Sequence, residues 1–389
     1  MKKIKVGIIS INKYSNFNYG AVLHSFAMQK YLDKKYIDSV IVDYLTRFFN
    51  YFVPHFPAIG VIKKSFRLRT FGLRTFIYAI LKQPAASIRF RKIMNFCKKH
   101  YKSVNNNGKP FTQADFENNE KISSFDFDTI VCECDVIWSP KTNFGFDRAF
   151  FADYECFKDM KKVAYSPSIG NTILTSEEEQ EFKKLVTNFD FLSSREKETA
   201  EYVQNLIGRK CQHVLDPTLL LDEQDYIPIT AEINEKKKYL LCYNCVKNDK
   251  VMLAKAKELA RKMNLEFIEI SLYVVNKIKH RTLTGLGIEE WLGYFKKAEF
   301  IVTNGFHGMC FAIIFKKNFY VYLRGNYNLK FNLVYELGLE NSLIALKDRE
   351  QDLENISIDY NLVYEKLNAF RKISEDFINE AIVNWSRGV

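Results

Sequence analysis

The stretch FIVTNGFHGMCFAIIF places one histidine, His307, between an apolar strand and an apolar helix. An imidazole titrates near neutrality and can serve as acid and base in turn. The position is the second reason to single it out. Ligands of open α/β sheets sit beyond the carboxyl ends of parallel strands, and the free N–H groups opening a helix attract anions. Asn304, Gly305 and Gly308 make the turn around it, and the two glycines are expected to let a ligand approach the backbone. Arg195, in FLSSREKETAEYV, stands at another strand-to-helix junction, where a guanidinium can grip a carboxylate or phosphate with two parallel hydrogen bonds. Arg324 and Lys330 follow the strand FYVYL and are expected at the same crevice. In the N-terminal half, SINKYSNFNYGAVLHSFAMQKYL joins the first strand to its helix through Asn16, Asn18, Tyr19 and Gly20. Asp135 and Trp138 close a strand read over 127–138 and are expected to face that same crevice.

The elements that must hold these residues alternate between apolar runs and amphipathic helices. KVGIIS, SVIVDYL (39–45), 127–138, KKVAYSPSIG (161–170), FLSS and CQHVLDP read as strands of one series, with a helix at 176–189 capped by Ser176. After an aperiodic linker, 222–238, come YLLCYN, EFIEISL, EFIVT and FYVYL, with helices at 249–263, 288–298 and 308–316. An amphipathic helix near 360–385 closes the chain. Such alternation implies mostly parallel sheets covered by helices. We read α/β, two Rossmann-like domains across a cleft: 1–225, carrying a basic helical insertion at about 46–114, and 226–370, with 371–389 packing back on the first domain. No GxGxxG or GxxxxGK[ST] stands at a strand–helix junction, which argues against a dinucleotide enzyme or a P-loop NTPase.

The 389 residues carry a net charge of +11, unevenly spread. From Tyr44 to Ala114 there are fourteen Lys and Arg and no Asp or Glu. Phe and Tyr are interleaved with them, and residues 60–104 read as helical, broken at Pro84. A basic, aromatic-rich segment suits an anionic membrane surface; nucleic acid is the rival and is not expected. No apolar run reaches membrane-spanning length, and the first residues are too short for a signal sequence. A cytoplasmic protein, peripheral on the inner membrane face, is the expectation. Of the eight cysteines, Cys242 and Cys245 form one CxxC, while Cys132 and Cys134 are expected to share a strand face; we expect no metal site from them.

Taken in order, NYGAVLHSFAMQKYL, CDVIWSP, KKVAYSPSIG, SSREKE, HVLDPTLLL, EEWLGYFKKAEFIVTNGFHGMCFAIIF and NYNLKFNLVYELGL resemble the polysaccharide pyruvyl transferase family. The resemblance runs to about residue 345. It implies a glycosyltransferase-B-like fold and transfer of a pyruvyl group from phosphoenolpyruvate to a sugar, or a lipid-linked oligosaccharide, as a cyclic ketal, with no cofactor. By it, His307 is the catalytic residue and Arg195 holds the donor. Position adds Lys330, Arg324, Asn304, Gly305 and Gly308 on the donor side, and gives the acceptor to Asn16, Asn18, Tyr19, Gly20, Asp135 and Trp138. Departures are visible too. Gly305-Phe306 replaces Arg-Leu, Lys330 replaces an arginine, Glu133-Cys134-Asp135 replaces Gly-Ser-Asp, and His24 stands where Gln is common. A nucleotide-sugar glycosyltransferase of the same architecture and a non-catalytic glycan- or membrane-binding relative are the competing readings.

Overall fold

The computed structural model describes residues 4–13, 18–46, 73–118, 125–245, 249–271, 280–323 and 331–384. Two parallel sheets organise them. The first contains β1 (Lys5–Ile9), β2 (Asp38–Val42), β3 (Ser103–Val104), β4 (Thr129–Glu133), β5 (Lys161–Tyr165), β6 (Phe191–Ser194) and β7 (Gln212–His213), in the order β3-β2-β1-β4-β5-β6-β7. The second contains β8 (Tyr239–Asn244), β9 (Glu266–Ser271), β10 (Thr282–Leu283), β11 (Phe300–Thr303), β12 (Asn318–Tyr322) and β13 (Leu343–Ile344), in the order β10-β9-β8-β11-β12-β13. All the pairings are parallel. The central strands are buried along nearly their whole length, as expected where helices cover both faces. The strand order reverses at β1/β4 in one sheet and at β8/β11 in the other. These switch points open crevices at the strands' carboxyl ends, and there the chain puts its candidate chemistry. Two Rossmann-like domains, as expected, are what the topology shows.

The longer helices are α1 (Tyr19–Lys34), α2 (Leu73–His100), α3 (Ser176–Thr187), α4 (Lys197–Ile207), α5 (Lys250–Lys262), α6 (Ile288–Lys297), α7 (Phe306–Ile314) and α8 (Tyr360–Ile378). α1 is buried nearly all round, from Tyr19 to Leu32; it lies between its own sheet and the second domain. Tyr19 stacks on Trp291 of α6 at 5.4 Å and donates to the Leu286 carbonyl. α2 crosses the same boundary: buried Arg89 donates to the Thr284 carbonyl, and Lys92 pairs with Glu290. α8 straddles both domains. Tyr360 and Tyr364 donate to carbonyls at the end of α7, while Arg371 donates to the Leu219 carbonyl and Ser374 accepts from the Leu215 N–H.

Several boundaries depart from the sequence reading. α2 runs unbroken through Pro84. The proline is exposed, so the carbonyl it leaves without a helical partner can turn to water. The strand read over 127–138 stops at Glu133, because Cys134 and Asp135 both take the left-handed conformation, at φ 58° and 54°. Cys132 and Cys134 therefore do not share a strand face. Thr175, not Ser176, caps α3, in a reciprocal box with Glu178. α7 begins at Phe306, which puts His307 inside its first turn. The closing helix, by contrast, begins at Tyr360, where the sequence reading put it. Residues 60–72 of the expected basic helix lie outside the described residues.

Candidate active site

His307 projects from the first turn of α7 in the second domain into a pocket built by the first. Its Nε2 lies 3.4 Å from Asp216 Oδ2, a charge contact at the outer limit of hydrogen-bond reach and not an aligned bond. Its Nδ1 side faces α1. A Cβ added at Gly20 would stand 1.9 Å from Nδ1, so α1 has a glycine where the imidazole leans against it. One turn further along α1, His24 stacks on the His307 ring at 6.0 Å, as residues four apart share a helix face.

Both histidines have carboxylates. His24 Nδ1 lies 3.1 Å from Glu133 Oε1, which also accepts from Ser25 Oγ, and all of this is buried. Burial pushes the His24 imidazole down, but Glu133 opposes it and prevails, so its pKa is raised and the imidazolium is favoured. Asp216 is fully enclosed. Burial alone would raise its carboxyl, yet His307, Arg195 and His24 together hold it well below the usual range. Thr218 Oγ1 and backbone N–H donate to its other oxygen, and Cys134 Sγ donates to Oδ2.

Arg195 is not the open clamp that the sequence suggests. It is buried, with Glu196 at 3.0 Å, Asp216 at 3.3 Å and Asp135 at 4.0 Å, and it lies over the Phe306 ring at 4.6 Å. Burial opposes its charge, but the acids, Glu196 foremost, raise its pKa well above the ordinary value. The cation is thus committed to the protein's own carboxylates. A narrow crevice opens beside it, lined by Asp216, Phe306, His213, Asn332, Glu336 and Phe370 among others. His213 and Glu336 lie 3.6 Å apart there. Burial lowers the His213 imidazole, and burial with nearby Glu198 lifts Glu336 to about 7, so both are driven toward neutrality.

The remaining sequence candidates divide. Asn18 donates to Asp135 at 3.3 Å at the rim of the pocket, so Asn18, Gly20, Asp135, Arg195 and His307 come together. Tyr19 does not offer itself to a ligand: it is 1% exposed, and its hydroxyl and ring are used on Leu286 and Trp291. Trp138 lies at 0% exposure among Phe151, Phe182 and Phe189, because the turn at Cys134 carries it into the core. Asn304 spends its amide on Asn244, the Cys245 N–H and the Cys245 thiol. Gly305 and Gly308 are explained by packing: a Cβ would meet Cys245 Sγ at 2.5 Å and Thr303 Oγ1 at 2.3 Å, respectively. Asn16, Arg324 and Lys330 lie outside the described residues.

In sequence, His24, Glu133 and Cys134 stand out only as departures from the family pattern, and Asp216 is not marked as chemistry at all. The signal was present: a charged or titratable side chain inside an apolar strand or helix must find a buried partner. Among the described residues, His24, Glu133 and Cys134 bring one ligand atom each within 4.8 Å of one another. Those atoms already bond to each other or to Asp216 and have no exposure, so the cluster is a hydrogen-bond network as it stands. Cys242 lies in β8, buried with Leu240 and Val302, while Cys245 packs by Gly305.

The sequence model of the family described as Polysaccharide pyruvyl transferase matches residues 18–326. The chain belongs to the polysaccharide pyruvyl transferase family. That span contains Asn18, Gly20, Asp135, Arg195, Asp216 and His307, and the family makes the protein a transferase. No curated protein sequence matches the chain. Solved structures align along nearly its full length at low identity. Arabidopsis thaliana UGT89C1 complexed with UDP-L-rhamnose has a TM-score of 0.49 at 8% identity, covering 97% of this chain and 98% of that one. A UDP-N-acetylglucosamine 2-epimerase from Rickettsia bellii scores 0.45 at 11%, covering 98% and 99%. The E. coli heptosyltransferase WaaC with ADP-2-deoxy-2-fluoro heptose scores 0.38 at 10%, covering 94% and 99%.

Proposed function

We propose that this pyruvyl transferase family member moves the pyruvyl group of phosphoenolpyruvate onto two hydroxyls of one sugar in a surface polysaccharide, or in its lipid-linked precursor, closing a pyruvate ketal. The observation that carries this reading is the histidine–carboxylate contact formed between domains, His307 Nε2 to Asp216 Oδ2 at 3.4 Å, in the first turn of α7. The reaction needs a proton delivered to the methylene carbon of phosphoenolpyruvate, which makes the neighbouring carbon electrophilic. A sugar hydroxyl then adds there and gives up its proton. Phosphate leaves, and a second hydroxyl closes the ring and gives up its own. One imidazole can deliver and collect these protons in turn. Ionised Asp216 stands beside that ring and stabilises positive charge developing on it during proton transfer, the part a buried carboxylate takes beside a catalytic histidine. Backbone N–H groups opening α7 face the donor's anionic groups. As proposed, the chemistry draws on no metal ion or cofactor.

The test is incubation with phosphoenolpyruvate and a panel of sugars and lipid-linked oligosaccharides. Phosphate release is followed together with the acceptor's mass, which should rise by that of pyruvic acid less one water. His307→Ala should abolish transfer while melting like the wild type. Glycosyl transfer from a UDP- or GDP-sugar, or unimpaired turnover by folded His307→Ala, would overturn the reading.

A further inference from the structure

The acid-free basic segment is not used up by the His307 pocket, and α2 shows how its described part is disposed. One face of the helix is internal: Arg89 is buried, Lys92 meets Glu290, and Ile93, Phe96 and Cys97 join the core. The other face is exposed in two unlike halves. Ile77, Ile80, Leu81 and Ile88 are 40–57% exposed, with Pro84 between them, on one stripe of a 3.6-residue helix. Further along the same stripe stand exposed Arg91, Asn95, Lys98 and Lys99. A soluble surface normally scatters such large aliphatic residues; a run of four on one stripe marks an interaction face. No carboxylate from the helix's own sequence interrupts it, and none occurs between Tyr44 and Ala114.

We propose that this face of α2 docks the protein on an anionic phospholipid surface, with the Ile77–Ile88 stripe entering the headgroup boundary and Arg91, Lys98 and Lys99 lying against lipid phosphates. The pattern suits an interfacial helix: an apolar stripe beside cations, no acids, and a length that does not span. No described helix is long and apolar enough to cross a membrane. Charge complementarity selects the occupant, because an anionic bilayer offers apolar depth and negative charge in one place. The anchoring of α2 at Thr284 and Glu290 fixes this face relative to the crevice between the domains. The proposal rests on the lipid-linked form of the acceptor named above, but its readout is independent of turnover.

The full-length protein is sedimented with vesicles of phosphatidylglycerol and phosphatidylcholine, and with phosphatidylcholine alone, over a salt series. Binding to the anionic vesicles at low salt, falling as salt rises, is expected. The exposed pair Ile80→Ser/Leu81→Ser should weaken it on the order of tenfold. Arg91→Gln, Lys98→Gln and Lys99→Gln should each weaken it about fivefold. Turnover with a soluble acceptor sugar should not change in any of these, which separates failure of docking from failure of the enzymatic reading. No binding to anionic vesicles at low salt overturns the proposal. So does binding that the Ile80/Leu81 pair leaves untouched. A wild-type dimer that this pair dissociates, seen by sedimentation, would give the face to a second copy. Capture of a single-stranded RNA oligonucleotide that Lys98→Gln and Lys99→Gln weaken, without binding to anionic vesicles, would give it to nucleic acid. Either result overturns it.

Discussion

Gly20→Ala isolates the geometry of the pocket from its chemistry. The added methyl carbon would stand 1.9 Å from His307 Nδ1, against an ordinary contact of about 3.4 Å. The ring must therefore retreat by about 1.5 Å or rotate away, and it cannot do so and keep its place between α1 and Asp216. Misplacing a reacting group by about 1 Å costs on the order of 10²-fold in rate, equivalent to about 2.7 kcal/mol of transition-state stabilisation. Stability should move little and in no consistent direction. Gly20 is helical with no left-handed φ, and alanine in a helix is favoured over glycine by up to about 1 kcal/mol, which offsets strain from the displaced imidazole. The expected result is a kcat/KM for pyruvyl transfer lowered at least about 100-fold, with a melting temperature within a few degrees of the wild type. A Gly20→Ala protein with wild-type kcat/KM would refute the reasoning, because it would show that the imidazole does not work from the place it occupies here.

Two further substitutions test the charges around that ring. Arg195→Ala leaves Glu196, Asp216 and Asp135 facing one another without their shared cation, and breaking such a buried cluster should cost about 3–5 kcal/mol of stability by denaturant titration; a loss under about 1 kcal/mol would mean that the guanidinium is held for substrate and not for the fold. Glu336 has a carboxyl raised from its ordinary 4.5 to about 7, so between those values the folded chain binds the extra proton and stability falls as pH rises. Glu336→Gln should therefore remove part of that slope and stabilise the protein at pH 8 by at most about 3 kcal/mol, while an unchanged profile between pH 4.5 and 7 would contradict this assignment.

Periodicity and position found the scaffold. Parallel strands followed by helices, and a histidine just past β11, follow from local pattern, and so does the side of the sheet on which ligands lie. Partners could not be found the same way. Arg195 looks the same in sequence whether it faces solvent or three carboxylates; only the approach of β4, β6 and the Asp216 turn decides it. Trp138 was misplaced because the apolar run from 127 hides the two left-handed residues at Cys134 and Asp135, which redirect everything after them. Tyr19 and Asn304 were misplaced for another reason. Each is polar at the right end of the right strand, but each is needed to satisfy the other backbone or side-chain groups that a two-domain boundary buries. Asp216 and Glu133 carried the opposite lesson, since an acid embedded in an apolar run is itself evidence of a buried cation.

The charge distribution also gives the two walls of the crevice different preferences. On the first domain's wall, Glu133, Asp135, Glu196 and Asp216 gather around Arg195 and His24. An anionic group brought against that wall would meet an excess of carboxylates, at short range and in a partly desolvated site where Coulomb terms are poorly screened. A sugar hydroxyl meets no such opposition: it can donate to Asp135, whose side chain stays partly exposed beside Asn18. On the second domain's wall α7 opens next to His307 with no side-chain cap on its N-terminus, the positive end of the helix dipole, and its residues include no acid. We infer that the donor's carboxylate and phosphate lie toward α7 and the acceptor toward Asn18 and Asp135. On this proposal His307, carried by the donor wall and set against Asp216 of the other, is placed to serve both the donor carbon and the acceptor hydroxyl.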